Sequence, residues 1–270
     1  MLRENAKLDE DYVKEYCKKN NIELFVKEIQ IKEIAKEQKK GLEETGRNER
    51  YNFFEEVAKD KNANKIAIAH NSNDNAETVI MNLLRGSGIS GLKGIEPKRS
   101  EKYIRPLIEC TREEIEEYCK ENNISPRIDE SNFENIYTRN KIRNICIPYI
   151  KKEFNPNIIN TINRLSETVR DEEDYILLKT KENFEKIVIF ENEKEIILNL
   201  KLFVNLEKVI KRRIILYTIN KLLGNHFGIQ KVNVEDIVEL CEKNVGNKYL
   251  MPNKNIKVMV KNKKIYFVTK

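Results

Sequence analysis

The spacing of apolar residues predicts alternating helices and strands in the first half of the chain. Apolar positions recur at helical spacing over residues 8–22 and 50–59. The segment ELFVKEIQI (23–31) has the composition of a strand, and KIAIA (65–69) predicts a short buried strand. The next helix is predicted to begin near Asp74 and to end at a pair of glycines. Helices that alternate with strands are typical of a parallel sheet with helices on its faces.

Helical patterns dominate from about residue 137 onwards. YIRPL (103–107) predicts one more strand before that point. The later helices are predicted over residues 139–152, 157–182, 204–224 and 233–244. The tail 247–270 is predicted to form small strands. The pattern therefore predicts an α/β fold with a partial doubly wound parallel sheet over residues 1–135. A mostly helical domain with a small β tail is expected to follow over residues 136–270.

Composition and charge exclude several classes of protein. The 270 residues are 40% hydrophobic and 35% charged, which is typical of a globular protein with its own core. No apolar run approaches the roughly 18 residues that a membrane helix requires, and no secretory apolar region opens the chain. The five cysteines lack C-x-x-C spacing, which favours reduced thiols and a cytoplasmic location. The short apolar runs predict that the chain has no membrane partner. The net charge of +6 permits a nucleic-acid partner without requiring one.

A histidine and two acids form the first group of candidate functional residues. His70, one of only two histidines, follows KIAIA and precedes Asp74 and Glu77. In open α/β sheets, ligands bind beyond the carboxyl ends of the strands, where this segment is predicted to lie. The acids are three residues apart in the first turn of a predicted helix. They are therefore either acids that the helix dipole favours or a carboxylate pair that holds an ammonium group or a metal ion. The pattern leaves both interpretations open, and His70 is likewise either structural or functional.

Basic residues form two further candidate groups. Arg139 and Arg143 are four residues apart on a predicted helix face, with Lys141 between them. Arginines on one face suit the recognition of phosphate or carboxylate groups. Arg47 and Arg50 precede the aromatic face of an amphipathic helix. In both groups the alternative is an ordinary solvated surface.

Four segments together carry a resemblance to a known family. They are RNERYNFFEEVA, AHNSNDNAETVIMNLLRGSGISGLKG, IRPLI with TREEIEEY, and DESNFENIYTRNKIRN, in this order. The chain from Met1 to about Gly224 resembles the tRNA(Ile)-lysidine synthetases, which are N-type ATP pyrophosphatases with an adenine nucleotide alpha hydrolase-like fold. The resemblance implies a ligase that uses ATP and Mg²⁺, with tRNA(Ile) and L-lysine as partners. In the implied reaction, ATP adenylates the C2 oxygen of the wobble cytidine, and the amine of free lysine then displaces AMP to give lysidine.

The resemblance also implies roles for individual residues. Asp74 and Glu77 match the acids of the motif H-[HN]-x-x-D-x-x-E-T, in which Asn71 replaces a second histidine. They are expected to hold the lysine ammonium or magnesium. Arg50 matches the arginine of R-x-x-R-Y and is expected near the reacting groups. The residues that the resemblance places at the substrate or tRNA are His70, Arg139, Asn140 and Arg143.

One family motif does not occur in this sequence. The S-G-G-x-D-S phosphate loop is absent, and the glycine-rich segment 86–94 follows a helix, so we do not interpret it as that loop. Because the opening MLREN resembles a segment that follows the second strand in the family, we expect a chain truncated at its N-terminus and inactive alone. The segments 23–31 and 65–69 would then lack strand partners. One alternative is a catalytically inactive RNA-binding remnant. A related pyrophosphatase of tRNA thiolation is less favoured because the cysteines lack the spacing for sulfur transfer.

Overall fold

The computed structural model describes residues 6–127, 135, 137–225, 228–243 and 248–270. The chain divides into two compact units, Met1–Glu167 and Thr168–Lys270. The helices of the first unit are α1 (Ala6–Lys19), α2 (Ile31–Gln38), α3 (Leu42–Asp60), α4 (Ser72–Leu84), α5 (Ile89–Leu92), α6 (Arg112–Glu121), α7 (Thr138–Lys141) and α8 (Ile147–Glu153). A π-helical segment, Ile142–Cys146, joins α7 to α8. The helix α9 (Ile158–Ile187) begins in the first unit and ends in the second.

A small mixed sheet lies in the first unit. Its strands are β1 (Ile66–Ala67), β2 (Lys98–Arg99) and β3 (Tyr103–Ile104), in the order β1-β3-β2. β1 pairs with β3 in parallel, and β2 pairs with β3 in antiparallel orientation. The predicted strands in KIAIA and YIRPL are therefore confirmed, although each is only two residues long.

The strand predicted over ELFVKEIQI is wrong. Residues 22–30 have no regular secondary structure, and α2 begins at Ile31. Leu24, Phe25 and Val26 are 36%, 40% and 49% exposed. A strand is stabilised by hydrogen bonds to a neighbour, and in the described part of the chain no strand lies beside this segment. The apolar composition alone therefore does not produce a strand here.

Helix α4 is the central helix of the first unit's apolar core. Ala76, Val79 and Ile80 form its buried side. The residues that pack against them come from the π-helical segment, α8 and α9, namely Ile142, Ile147, Ile159 and Ile162. Because these later residues pack on α4, the first compact unit extends to Glu167, whereas the sequence pattern placed a domain boundary at residue 135.

The second unit consists of helices and a five-stranded antiparallel sheet. After α9 come β4 (Val188–Glu191), β5 (Glu195–Asn199), α10 (Leu200–Val204), α11 (Lys208–Leu223), α12 (Lys231–Glu242), β6 (Tyr249–Asn253), β7 (Ile256–Lys261) and β8 (Lys264–Thr269). The strand order is β4-β5-β8-β7-β6. The helices pack on one face of the sheet, and Phe203, Ile215 and Ile237 meet Phe267 and Val258 in the core.

The sheet of the second unit is larger than the small β tail that the sequence pattern predicted. The hairpin of β4 and β5 was not predicted, because its residues lie between two strong helical patterns. β5 pairs with β8 near the C-terminus and so extends the sheet beyond the tail. None of the described helices is long and apolar enough to cross a membrane.

Candidate active site

The candidate site begins at the N-terminus of α4, beyond the end of β1. Asn71 is the N-cap residue, and its side-chain oxygen accepts a hydrogen bond from the backbone N–H of Asp74 at 2.9 Å. Asp74 Oδ2 in turn accepts from the Asn71 N–H at 3.1 Å, which completes a capping box. The interpretation of Asp74 as a helix-start acid is therefore correct, but it accounts for only one of its two oxygens.

Two arginines bond to the acids of α4. Arg139 donates from Nε to Glu77 Oε2 at 2.7 Å and from a terminal nitrogen to Asp74 Oδ1 at 2.9 Å. Arg143 donates from Nε to Glu77 Oε1 at 2.6 Å, and a terminal nitrogen lies 2.9 Å from Glu77 Oε2 and 3.2 Å from Asp74 Oδ1. We call these four residues the acid–arginine cluster. The cluster fastens the α7 and π-helical region to α4.

The ion pairs of the acid–arginine cluster are strong because their acids are largely buried. Only 2% of the Glu77 side chain is exposed, against 17% for Asp74. The hydrogen bond to Glu77 raises the pKa of Arg143 above its ordinary value, despite the desolvation that lowers it. Bidentate bonds between guanidinium and carboxylate groups are the strong form of ion pair. Two carboxylates and two guanidiniums balance one another, so the cluster as a whole carries no net charge.

The cluster changes the expected roles of its members. The sequence pattern treated the two pairs separately: Asp74 and Glu77 as helix-start acids or a carboxylate pair, and Arg139 and Arg143 as a solvated or a ligand-binding basic face. The structure brings all four residues together, and the acids already accept hydrogen bonds from the arginines. Within the described residues, no group of three or more His, Cys, Asp or Glu side chains is arranged to hold a metal ion.

His70 lies beside the cluster and is held by a residue that the sequence analysis did not select. Arg105 Nε donates a hydrogen bond to His70 Nδ1 at 3.1 Å. A neutral histidine that accepts at Nδ1 carries its proton at Nε2. Arg105 is only 6% exposed and also donates to the carbonyl of Glu96. The available signal was its place at the end of a predicted strand, in the quoted segment IRPLI.

The surroundings of His70 favour its neutral form. Burial is the largest cause that lowers its pKa below the ordinary value, and nearby positive charges add to this effect. These charges belong to Arg105, Arg139 and Arg47, while Asp74 acts in the opposite direction.

The remaining predicted residues take different positions. Arg50 lies on α3 with an exposed side chain, and Arg47 lies over the Tyr51 ring at 5.3 Å from its centroid. Arg99, on β2, lies over the same ring at 4.9 Å. Asn140 is half-buried in α7, next to Arg139.

The glycine-rich segment that follows α4 serves packing. Asn75 accepts a hydrogen bond from the Ile95 N–H at 2.6 Å and donates to Asn163 Oδ1 at 2.7 Å. Gly94 has a φ of +64°, and a Cβ atom there would lie 2.1 Å from Asn75 Oδ1. Only glycine fits this position, because it provides both the left-handed conformation and the room. The segment thereby packs against α4 at Asn75 and Val79.

Comparison with known proteins identifies the family. The sequence profile of the PP-loop domain matches residues 1–150. The "tRNA(Ile)-lysidine synthase" of Clostridium perfringens (strain ATCC 13124) is 44% identical over 250 residues, which is 93% of this chain and 53% of the relative. That of Clostridium acetobutylicum is 44% identical over 251 residues, covering 93% of this chain and 54% of the relative. The "Bifunctional protein TilS/HprT" of Listeria monocytogenes serovar 1/2a is 35% identical over 260 residues, covering 94% of this chain and 40% of the relative.

A solved structure shares the fold at low sequence identity. It is the U34-tRNA thiolase NcsA from Methanococcus maripaludis, with a TM-score of 0.50 and 19% identity over 62% of this chain and 59% of that chain. The chain spans about half the length of the curated Clostridium synthases that it matches. From the match of its residues 1–150 to the PP-loop domain, more than half of the chain, this protein belongs to the PP-loop domain family.

Proposed function

We propose that this chain takes part in the ATP-dependent ligation of lysine to the wobble cytidine of a minor isoleucine tRNA, in the cytoplasm. The observation that carries the proposal is the 44% identity to proteins named tRNA(Ile)-lysidine synthase over 93% of the chain. The comparisons do not favour an inactive RNA-binding remnant. The parallel pairing of β1 with β3 is consistent with the finer proposal that the small sheet belongs to a doubly wound sheet.

The acid–arginine cluster is the proposed centre of this activity. In open α/β sheets, ligands bind beyond the carboxyl ends of the strands, and α4 begins just after β1. Arg139 is 35% exposed, so its guanidinium both holds the acids and reaches solvent. Asp74 is the more exposed of the two acids, which makes it the better candidate for contact with the ammonium group of lysine. Glu77 is then a positioning residue that orients the two arginines.

Magnesium enters the proposal only as the ion that accompanies the phosphates of ATP. Asp74 and Glu77 do not fit a site that is ready to bind a metal ion directly. Asp74 Oδ1 and both Glu77 oxygens already accept hydrogen bonds from guanidinium groups, and Asp74 Oδ2 accepts the Asn71 N–H. No step is therefore assigned to a metal ion at these residues. Their work is electrostatic, since preorganised charges and hydrogen bonds stabilise the charge that develops during a reaction.

The first prediction concerns the reaction itself. The 270 residues contain no S-G-G-x-D-S segment, so we expect no lysidine from this chain with tRNA, ATP and labelled lysine. A fusion with an N-terminal segment that contains S-G-G-x-D-S, taken from a synthase that has this motif, should form lysidine, measured by incorporation of the label into tRNA. In that fusion, Asp74→Asn should lower the rate strongly, while Asp60→Asn, at the exposed end of α3, serves as the matched control.

Two outcomes would contradict this proposal. Release of AMP by the unfused chain, dependent on both lysine and tRNA, would show that the reaction does not need an S-G-G-x-D-S segment. Unchanged rates for Asp74→Asn in the fusion would show that this acid serves only the capping box and the ion pairs.

A further inference from the structure

The five-stranded sheet of the second unit has two chemically different faces. Side chains alternate between the faces along each strand, so successive residues of one strand point in opposite directions. On β7, Ile256, Val258 and Val260 are buried in the core, while Lys257 and Met259 are only partly buried. The helices of the unit pack on the buried side. Lys257 and Met259 lie on the opposite side of the sheet, which we call the outer face.

A row of apolar and aromatic side chains crosses the outer face. Phe190 pairs with Ile197, and Ile197 pairs with Tyr266. Tyr266 pairs with Met259, and Met259 pairs with Tyr249 on the edge strand. The row thus includes one residue from each of the five strands. Its ends are its most accessible members, with Phe190 45% and Tyr249 57% exposed.

Lysines flank this row on both sides. Lys257 lies on one side, with its Nζ atom 4.3 Å from the centroid of the Tyr249 ring. Lys261 and Lys264 lie on the other side, directly opposite each other on β7 and β8. Like charges that face each other across strands are destabilising, and a bound anion would offset that cost. Residues 248–270 include seven lysines and no acid. Among the described strands, the acid of the outer face is Glu195, at the start of β5.

We propose that the outer face is a contact surface for unpaired RNA, on which Tyr249 and Tyr266 stack with bases and the flanking lysines hold phosphates. Proteins that bind single-stranded nucleic acid combine aromatic side chains, on which bases stack, with basic residues that follow the backbone. Sheets with exposed aromatics are one of the recurring forms of such surfaces. The positive charge of the lysines favours a polyanionic ligand, and the aromatic row favours a nucleic acid whose bases are exposed.

The inference rests on the proposed function, because the proposed substrate is a tRNA whose wobble cytidine is an unpaired base. The sheet lies in the second unit, outside the acid–arginine cluster. It therefore deepens the proposed function by naming a part of the chain that holds the RNA, and it can be tested without the ligation reaction.

The test uses the full 270-residue chain and fluorescence anisotropy. The probes are a short labelled single-stranded RNA and a duplex of the same sequence, each titrated at two salt concentrations. Tyr249→Ala should weaken single-strand binding by about 5-fold to 150-fold, the range for loss of one stacked base. Tyr249→Phe should bind like the unchanged chain, because the ring remains. Lys261→Gln should reduce the slope of log affinity against log salt by about 0.7 if the lysine holds one phosphate.

The matched control is Tyr175 on α9. It is 62% exposed and has Lys179 over its ring at 5.7 Å, but it lies on a helix and not on the sheet. Tyr175→Ala should leave binding unchanged. The inference is overturned if Tyr249→Ala binds like the unchanged chain, or if it weakens duplex binding as much as single-strand binding. Failure of the fusion to form lysidine, with the Tyr249 effect intact, would contradict the proposed function alone.

Discussion

Asp74 uses its two carboxylate oxygens in different ways. Oδ2 accepts the Asn71 N–H in the capping box, while Oδ1 receives the guanidinium groups of Arg139 and Arg143. The same side chain therefore fixes the start of α4 and binds both α7, through Arg139, and the π-helical segment, through Arg143. Glu77, one turn later and almost wholly buried, receives both arginines as well. The geometry of the proposed site is thus set by the same bonds that hold the first unit together.

The ion pairs of Glu77 lead to a stability prediction. Arg143→Ala removes one of two guanidiniums from a buried carboxylate, and breaking a buried pair from one side costs on the order of 3 kcal/mol. We expect a loss of this size in the free energy of unfolding, measured by urea denaturation followed by circular dichroism. Arg143→Lys should lose less, because it keeps the charge but not the two-pronged geometry.

The control for this measurement is Arg50→Ala, on the exposed side of α3. A surface change of this kind alters the free energy of unfolding by about 0.5 kcal/mol or less. If Arg143→Ala also changed the free energy of unfolding by no more than this, the ion pairs of the acid–arginine cluster would behave like exposed surface pairs. The cluster would then not hold the first unit together.

His70 gives a prediction about pH. Its burial lowers the pKa below the ordinary value of 6.5, so the unfolded chain takes up a proton at a higher pH than the folded chain. Its contribution to stability should therefore be fully present above about pH 6.5 and should fall as the pH drops below that value. An NMR titration of the histidine ring protons, with His226→Gln to assign the signal, measures the pKa directly. Arg105→Met should raise it, because a neighbouring positive charge is removed. A pKa of 6.5 or above in the unchanged chain would contradict this account.

At the scale of elements, the sequence predicted structure well where a segment carries its own signals. α4 has a capping residue, an apolar side and a terminal glycine, and it forms nearly where predicted. ELFVKEIQI has only its composition, and a strand also needs a neighbour. The hairpin of β4 and β5 was missed for the related reason that its pairing with β8 is distant in sequence.

The candidate site was predictable in its residues but not in its pairings. Spacing on single helices selected Asp74 with Glu77 and Arg139 with Arg143, since each pair lies within one turn. The two acids face the two arginines because the π-helical segment packs on α4. This packing depends on apolar contacts between residues that are far apart in sequence. Arg105 was missed because a single arginine near a proline has no periodic signal.

At the scale of the whole molecule, the two units differ in how their cores are built. The largest fully buried apolar side chains all lie in the second unit, with members on β5, β7, β8, α10, α11 and α12. The first unit has a smaller apolar cluster around α4, two-residue strands and an exposed apolar segment at residues 22–30. Its order around the proposed site therefore depends more on the ion pairs than on a large apolar core.

This difference predicts the pattern of hydrogen exchange in the full chain. Amides in core elements open only with the whole fold, whereas segments with few buried contacts open locally at little cost in free energy. We expect β7, β8 and α11 to exchange slowest, and residues 22–30 to exchange fastest among the described residues outside the chain ends. Peptide-resolved mass spectrometry after deuterium labelling measures both. In Arg143→Ala, peptides from α4 and α7 should exchange faster, while those of β7 and β8 should not change. Equal acceleration in both units would show that they unfold as one body, and the cluster would then be a support for the whole chain and not for the site alone.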